Sequence, residues 1–148
     1  RLCVFRFWPA SGHVGCSGKR LVFPVMAQTT FANSRGVAHK ASGGLSTVFP
    51  DVCKLPNGVP VPFPNVGRAA DTSKGPKTVQ TDGQMPMVKG AEYSKSSGDE
   101  PGKAGGVVSQ VNMDVCEFMA YSFDVKFEGN NVCRLGDTLF HNKKNILG

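Results

Sequence analysis

Apolar and polar residues alternate most cleanly over Phe123-Asp124-Val125-Lys126-Phe127, which runs into Glu128-Gly129-Asn130-Asn131 and then Val132-Cys133-Arg134-Leu135. A period of two places successive side chains on opposite faces, so the stretch predicts two strands joined by a tight turn. Residues 77–88 repeat the pattern: Thr78-Val79-Gln80-Thr81 enters Asp82-Gly83, a type I′ turn signal, and Met85 to Val88 returns. Val79 and Val125 each stand four residues before the turn glycine, which reads as a degenerate internal repeat.

Pro60-Val61-Pro62-Phe63-Pro64 places prolines at alternate positions, which predicts an extended edge strand, because those residues have no amide to donate to a ladder. Residues 33–47 are small and polar and read as loop, as do residues 94–106, rich in Gly, Ser and charge. Within the latter, Asp99 and Glu100 are expected on a solvated turn.

Composition agrees with short strands and turns. The 148 residues suit one domain, and 18 Gly with 10 Pro penalise helix interiors throughout. The longest apolar run, Leu21 to Ala27, is broken by Pro24 and is far too short for a transmembrane helix. Residues 1–25 lack the features of a signal peptide and are expected to be a leader or upstream translated segment, with the domain running from Met26 to Gly148.

The net charge of +6 loses its meaning as a nucleic-acid footprint once that leader is set aside. Four basic residues and no acid lie before Met26, leaving 13 basic against 11 acidic residues, net +2, in the remainder. No nucleic-acid partner is therefore expected; a basic binding module is a rival only if the leader is real.

Five cysteines without secretory targeting point to free thiols or metal ligands. His39 with Cys53, and Cys133 with His141, form two couples of the donor types that tetrahedral zinc prefers and could close a structural site. Cys116 competes for the place of His39, although a core thiol beside Val115 and Phe118 is the favoured reading. No nucleophile–base pair stands out, so a non-enzymatic protein is expected. The enzymatic alternatives are a thiol hydrolase using Cys133 and His141 with Asp137 between them, or a small zinc-dependent nuclease toxin containing Phe140-His141-Asn142.

Phe49-Pro50-Asp51-Val52-Cys53-Lys54, the run Val61 to Asn65, Ser97-Gly98-Asp99-Glu100 with Gly105-Gly106-Val107, and Val132-Cys133-Arg134 followed by Asp137 and His141-Asn142 resemble the PAAR-like domain of type VI secretion systems, over about residues 31–148. The resemblance implies a small conical β-prism with a structural metal, usually zinc, near its apex. It implies a tip that caps the trimeric valine-glycine repeat spike protein, sharpens it for puncture and helps to mount effectors.

By matching motif, the ligands would be His39, Cys53, Cys133 and His141, a two-and-two set where the family's best-known branch uses three His and one Cys. Val61 and Phe63 are the expected spike contacts. The location implied is cytoplasmic before firing and then delivery into target cells, with one copy on a three-fold partner. The turns at Asn57-Gly58, Asp82-Gly83 and Glu128-Gly129 would mark approximate thirds. Longer relatives carry a toxin domain after this module; only seven residues follow His141, so a fused catalytic domain is not expected.

Overall fold

The computed structural model describes residues 28–148; the expected leader, with Cys3, His13 and Cys16, lies outside the described residues. Strands and turns dominate, as the glycine and proline content requires. In chain order the strands are β1 (Phe31–Ala32), β2 (Arg35–Gly36), β3 (Leu45–Lys54), β4 (Pro60–Arg68), β5 (Thr72–Ser73), β6 (Glu92–Tyr93), β7 (Ser96–Ser97), β8 (Cys116–Phe118), β9 (Lys126–Phe127), β10 (Asn130–Asn131), β11 (Leu139–His141) and β12 (Ile146–Leu147). One short 3-10 helix, Ala69–Asp71, interrupts them. They form two two-stranded hairpins, a three-stranded sheet β3-β4-β7 and a five-stranded sheet β12-β11-β8-β6-β5. Among the described residues no helix is long and apolar enough to cross a membrane.

The internal repeat is real, and it occurs three times. Ala38 N–H donates to Cys133 O (3.0 Å), Cys133 N–H to Met87 O (3.0 Å) and Met87 N–H to Ala38 O (2.7 Å), closing a ring of backbone hydrogen bonds. A second set follows the same rotation: Lys40 N–H to Met85 O, Lys89 N–H to Asn131 O and Leu135 N–H to Gly36 O. Bridges Val37↔Arg134, His39↔Pro86 and Val88↔Val132 complete the pattern. Ala38, Met87 and Cys133 are fully buried at the centre. Five and four residues before each lies a pair of positive-φ residues, Asn33-Ser34, Asp82-Gly83 and Glu128-Gly129, the signature of a type I′ turn.

Side chains stitch neighbouring repeats at equivalent positions. Thr29 donates to Asp82 through both its amide and hydroxyl, Thr78 does the same to Glu128, and Asn33 Nδ2 donates to Asp124 (2.9 Å). These bonds hold the Asp82, Glu128 and Asp124 carboxyls below their ordinary pKa values, because each is made to the charged form.

The sequence reading therefore needs one correction: the third marker is Asn33-Ser34, while Asn57-Gly58 caps the β3–β4 hairpin. The Glu128-Gly129 hairpin forms as expected, with Phe127 facing Asn130 and Lys126 facing Asn131. The Asp82-Gly83 turn forms too, but its arms pair with each other only at Thr81 and Gln84, since Met85 and Met87 are engaged with the first repeat.

The β3–β4 hairpin stands between the first two repeats. Val48 faces Asn65 and Asp51 faces Phe63, so β3 spends one more residue than β4 and bulges at Phe49-Pro50. The extra residue reverses the alternation. Without it Pro50 and Val52 would follow Val48 inward; with it, Asp51 and Cys53 are the buried residues. The proline edge is as expected: β7 pairs with β4 only at Val66 and Gly67, leaving Pro60 to Pro64 without a partner on that side.

Candidate functional site

The four residues expected to share one metal do not meet. Among the described residues, the group of three or more potential ligands whose donor atoms lie within 4.8 Å of one another is Asp51, Cys53 and Asp99. Cys133 lies at the centre of the ring, in the place that Ala38 and Met87 fill in the other repeats. Burial pushes its thiol up to about 12, and the ring nitrogens of His141 meet Asn65, Ser46 and Cys116 instead, so the thiol-hydrolase arrangement with His141 does not form. Asp137, proposed as its third member, instead binds Arg35 and Arg134, each at 2.9 Å. His39 belongs to a ring stitch: its Nδ1 accepts from Ala41 N–H (3.3 Å), and its Nε2 lies 3.3 Å from Asp82 Oδ2, off the direction of a hydrogen bond.

Cys53 and His141 do enter a common site, with partners the sequence reading passed over. Asn65 donates through Nδ2 to Asp51 Oδ2 (2.8 Å), Ser96 Oγ (3.1 Å) and Asp99 Oδ1 (3.2 Å). Asn142 donates to Asp99 Oδ2 (2.9 Å), Asp51 Oδ2 (3.2 Å) and Cys53 Sγ (3.4 Å). Asp99 Oδ2 also accepts from Met113 N–H (2.9 Å), and Asp51 Oδ1 accepts from Asn145. Asp51, Asn65, Ser96, Asp99, His141 and Asn142 are all fully buried.

Local backbone makes this burial possible. The bulge turns Asp51 and Cys53 inward. Gly98, at φ +124°, has no room for a Cβ, which would stand 2.2 Å from Pro64 O; the chain thus passes against β4 and directs Asp99 inward. Gly102 packs so closely that a Cβ would lie 2.4 Å from Cys53 Cβ. The expectation of a solvated loop is corrected here. Glu100 is exposed and caps Gly98 N–H at 3.0 Å, but the small residues beside it allow backbone to pack into the interior.

Two buried carboxylates without a cationic partner set the electrostatics, for none of the ion pairs among the described residues includes Asp51 or Asp99. Burial raises the Asp99 pKa. Burial, then the charges of Asp51 and Asp99, push the Cys53 thiol up to about 12. By donor type and spacing, Asp51, Cys53 and Asp99 could hold a metal ion, whose charge would answer all three groups.

His141 lies beside this cluster and is joined to it through Asn65. Its Nδ1 is 2.9 Å from Asn65 Oδ1 and its Nε2 is 2.9 Å from Ser46 Oγ. The imidazole fits because Gly67 leaves space: a Cβ there would lie 3.4 Å from His141 Cε1 and 2.9 Å from Cys116 Sγ. Burial depresses the His141 pKa, favouring the neutral ring. Cys116 is a core thiol, as favoured from sequence, raised to about 12 chiefly by burial. Val61 and Phe63 face Cys53 and Asp51 across the hairpin, half-buried on the same side.

No solved structure gives a significant match. Among curated proteins, the chain is similar to the DNase toxin Tse7 of Pseudomonas aeruginosa, with 39% identity over 134 residues, covering 83% of this chain. It spans only about a third of that relative, 35% of its length. The relative is named as an enzyme, which corrects the expectation of a non-enzymatic protein. The profile of the family described as Toxin PAAR-like domain matches residues 44–148, more than half of the chain, and on that match the chain belongs to the Toxin PAAR-like domain family.

Proposed function

We propose that residues 26–148 form the spike-mounting module of a toxic effector of a type VI secretion system. The module seats as a single copy, shaped as a conical β-prism, on the trimeric valine-glycine repeat spike. The observation that carries the reading is the three-fold ring: one chain can match a three-fold surface only by presenting three similar faces, and here turns, bridges and side-chain stitches recur three times. The named activity of the similar protein points to a DNA-cleaving payload carried with the module, held in the cytoplasm before firing and delivered into target cells.

The three turns, Asn33-Ser34, Asp82-Gly83 and Glu128-Gly129, form the seating end in this proposal. Phe31, in the first hairpin, and Phe123, next to the Asn33–Ser122 contact, are 62% and 82% exposed and would be covered by the spike in this proposal. Val61 and Phe63 then cover the buried polar cluster. Co-purification with the trimeric spike protein tests this. Phe31→Asp with Phe123→Asp should abolish capture at unchanged melting temperature, whereas Val61→Asp with Phe63→Asp should act through stability. Capture that survives the first pair but is lost in a folded second pair would return the contact to Val61 and Phe63.

A structural metal belongs to the same reading, held by Asp51, Cys53 and Asp99, with zinc the best fit to a thiolate beside carboxylates. Bound there, the ion would supply the positive charge that the cluster otherwise lacks. Elemental analysis should find one equivalent, and a strong chelator should lower the melting temperature. A metal-free protein with an unmoved melting curve would end this part of the proposal.

A further inference from the structure

We infer that Ser46, His141 and Asn65 form an acyl-transfer centre that hydrolyses esters of short carboxylic acids. This goes beyond the spike-mounting role and is independent of it. Asn65 Nδ2 faces three oxygens, Asp51 Oδ2, Ser96 Oγ and Asp99 Oδ1, at 2.8–3.2 Å, which leaves its Oδ1 turned toward His141. Oδ1 can only accept, so His141 Nδ1, 2.9 Å away, carries the ring proton. Nε2 is then left with its lone pair, and it faces Ser46 Oγ at 2.9 Å. The cluster thus fixes the imidazole in the one tautomer that can take a proton from the serine.

That is the order of roles in a nucleophile, its base and a group orienting the base, with an asparagine as the third member. Position supports it as well. Ser46 is partly exposed and lines a cavity of about 410 Å³, a size suited to a small ligand. Leu45, Tyr93, Phe118 and Leu139 supply apolar walls beside the polar Asp137 and Thr138, which leaves room for a short acyl chain next to the serine.

In the reaction, Ser46 Oγ bonds to the ester carbonyl carbon as its proton passes to His141 Nε2. Collapse of the adduct breaks the bond to the alkoxy oxygen, and the leaving alcohol takes that proton. Water, deprotonated by Nε2 in the same way, then cleaves the Ser46 ester to release the carboxylic acid and restore the serine.

The test uses the full chain with p-nitrophenyl butyrate and a fluorophosphonate probe, followed by mass-spectrometric mapping. The expected result is one adduct on Ser46, and turnover reduced at least 100-fold in Ser46→Ala at the parent's melting temperature. If Ser46→Ala folds poorly, Ser46→Cys should move labelling at residue 46 from the fluorophosphonate to iodoacetamide. For Asn65, a positioning residue, the nitrogen-15 spectrum of His141 should report the proton on Nδ1. A proton on Nε2, no adduct, an adduct elsewhere, or full turnover in folded Ser46→Ala would each overturn the inference.

Discussion

Replacing Asn65 with Leu, close in volume but without an amide, tests how much the buried polar cluster contributes to stability. The substitution removes the donors to Asp51, Ser96 and Asp99 and the acceptor for His141 Nδ1. A hydrogen bond to a charged group contributes about 1.5–3 kcal/mol, and a buried donor left without a partner costs about 1–3 kcal/mol. Asp51 keeps Asn142 and Asn145, and Asp99 keeps Asn142 and the Met113 amide, which holds the total toward the low end, about 3–4 kcal/mol. A domain of this size loses about 4 °C of melting temperature per kcal/mol, so the fall should be about 12–16 °C. Thermal melts followed by circular dichroism, with urea unfolding as a second measure, would read it. A melting temperature within about 2 °C of the parent would refute the claim that the cluster is a principal source of stability.

Other outcomes follow from the same structure. Thr81 Oγ1 is buried without a hydrogen-bond partner, so Thr81→Val should leave stability unchanged or raise it by about 1 kcal/mol, read as a urea midpoint. Gly98→Ala should unfold the domain or lower its melting temperature by more than 10 °C, since the added Cβ meets backbone 2.2 Å away at φ +124°. Cys53, Cys116 and Cys133, each raised to about 12, should resist alkylation at pH 8 until urea is added; peptide mapping that finds any of them labelled in the native protein would contradict their burial. Asp82, Asp124 and Glu128 have folded pKa values below their unfolded ones. Their stabilisation is present above pH 4.5 and is lost as pH falls through the depressed values. Urea midpoints at pH 7 and pH 3 should therefore differ less in Asp82→Asn/Asp124→Asn/Glu128→Gln than in the parent.

Two thirds of the ring were legible because Asp82-Gly83 and Glu128-Gly129 place glycine where a type I′ turn needs positive φ. The first repeat escaped notice because Asn33 and Ser34 adopt the same angles without glycine. Asn57-Gly58, a stronger turn signal, belongs to the β3–β4 hairpin. The proline edge was readable because a missing amide is a covalent fact.

The polar cluster was not readable from local pattern. Asp51 directly follows Pro50, and Asp99 lies in a stretch rich in Gly and Ser; an acidic residue in either place is normally exposed. What buries them is a one-residue bulge and a close approach at Gly98, neither visible without the strand pairing. The metal quartet misled for the opposite reason: residue type was right, but Cys133 sits at a buried position whose counterparts are Ala38 and Met87, which takes an apolar side chain rather than a ligand. Ser46, in a stretch read partly as loop, carried no signal of its own.

The triplication is approximate, and the segments inserted between its repeats occur once. On a strictly three-fold support such a body has three rotational seats, related by thirds of a turn, and whatever it carries points a different way in each. Equal seats would favour capture statistically by about 0.6 kcal/mol, the value of RT ln 3, and leave the cargo without a fixed heading. Because Asn33-Ser34, Asp82-Gly83 and Glu128-Gly129 differ chemically, the seats are unequal at their tips, and those six residues would decide the direction in which the cargo is aimed.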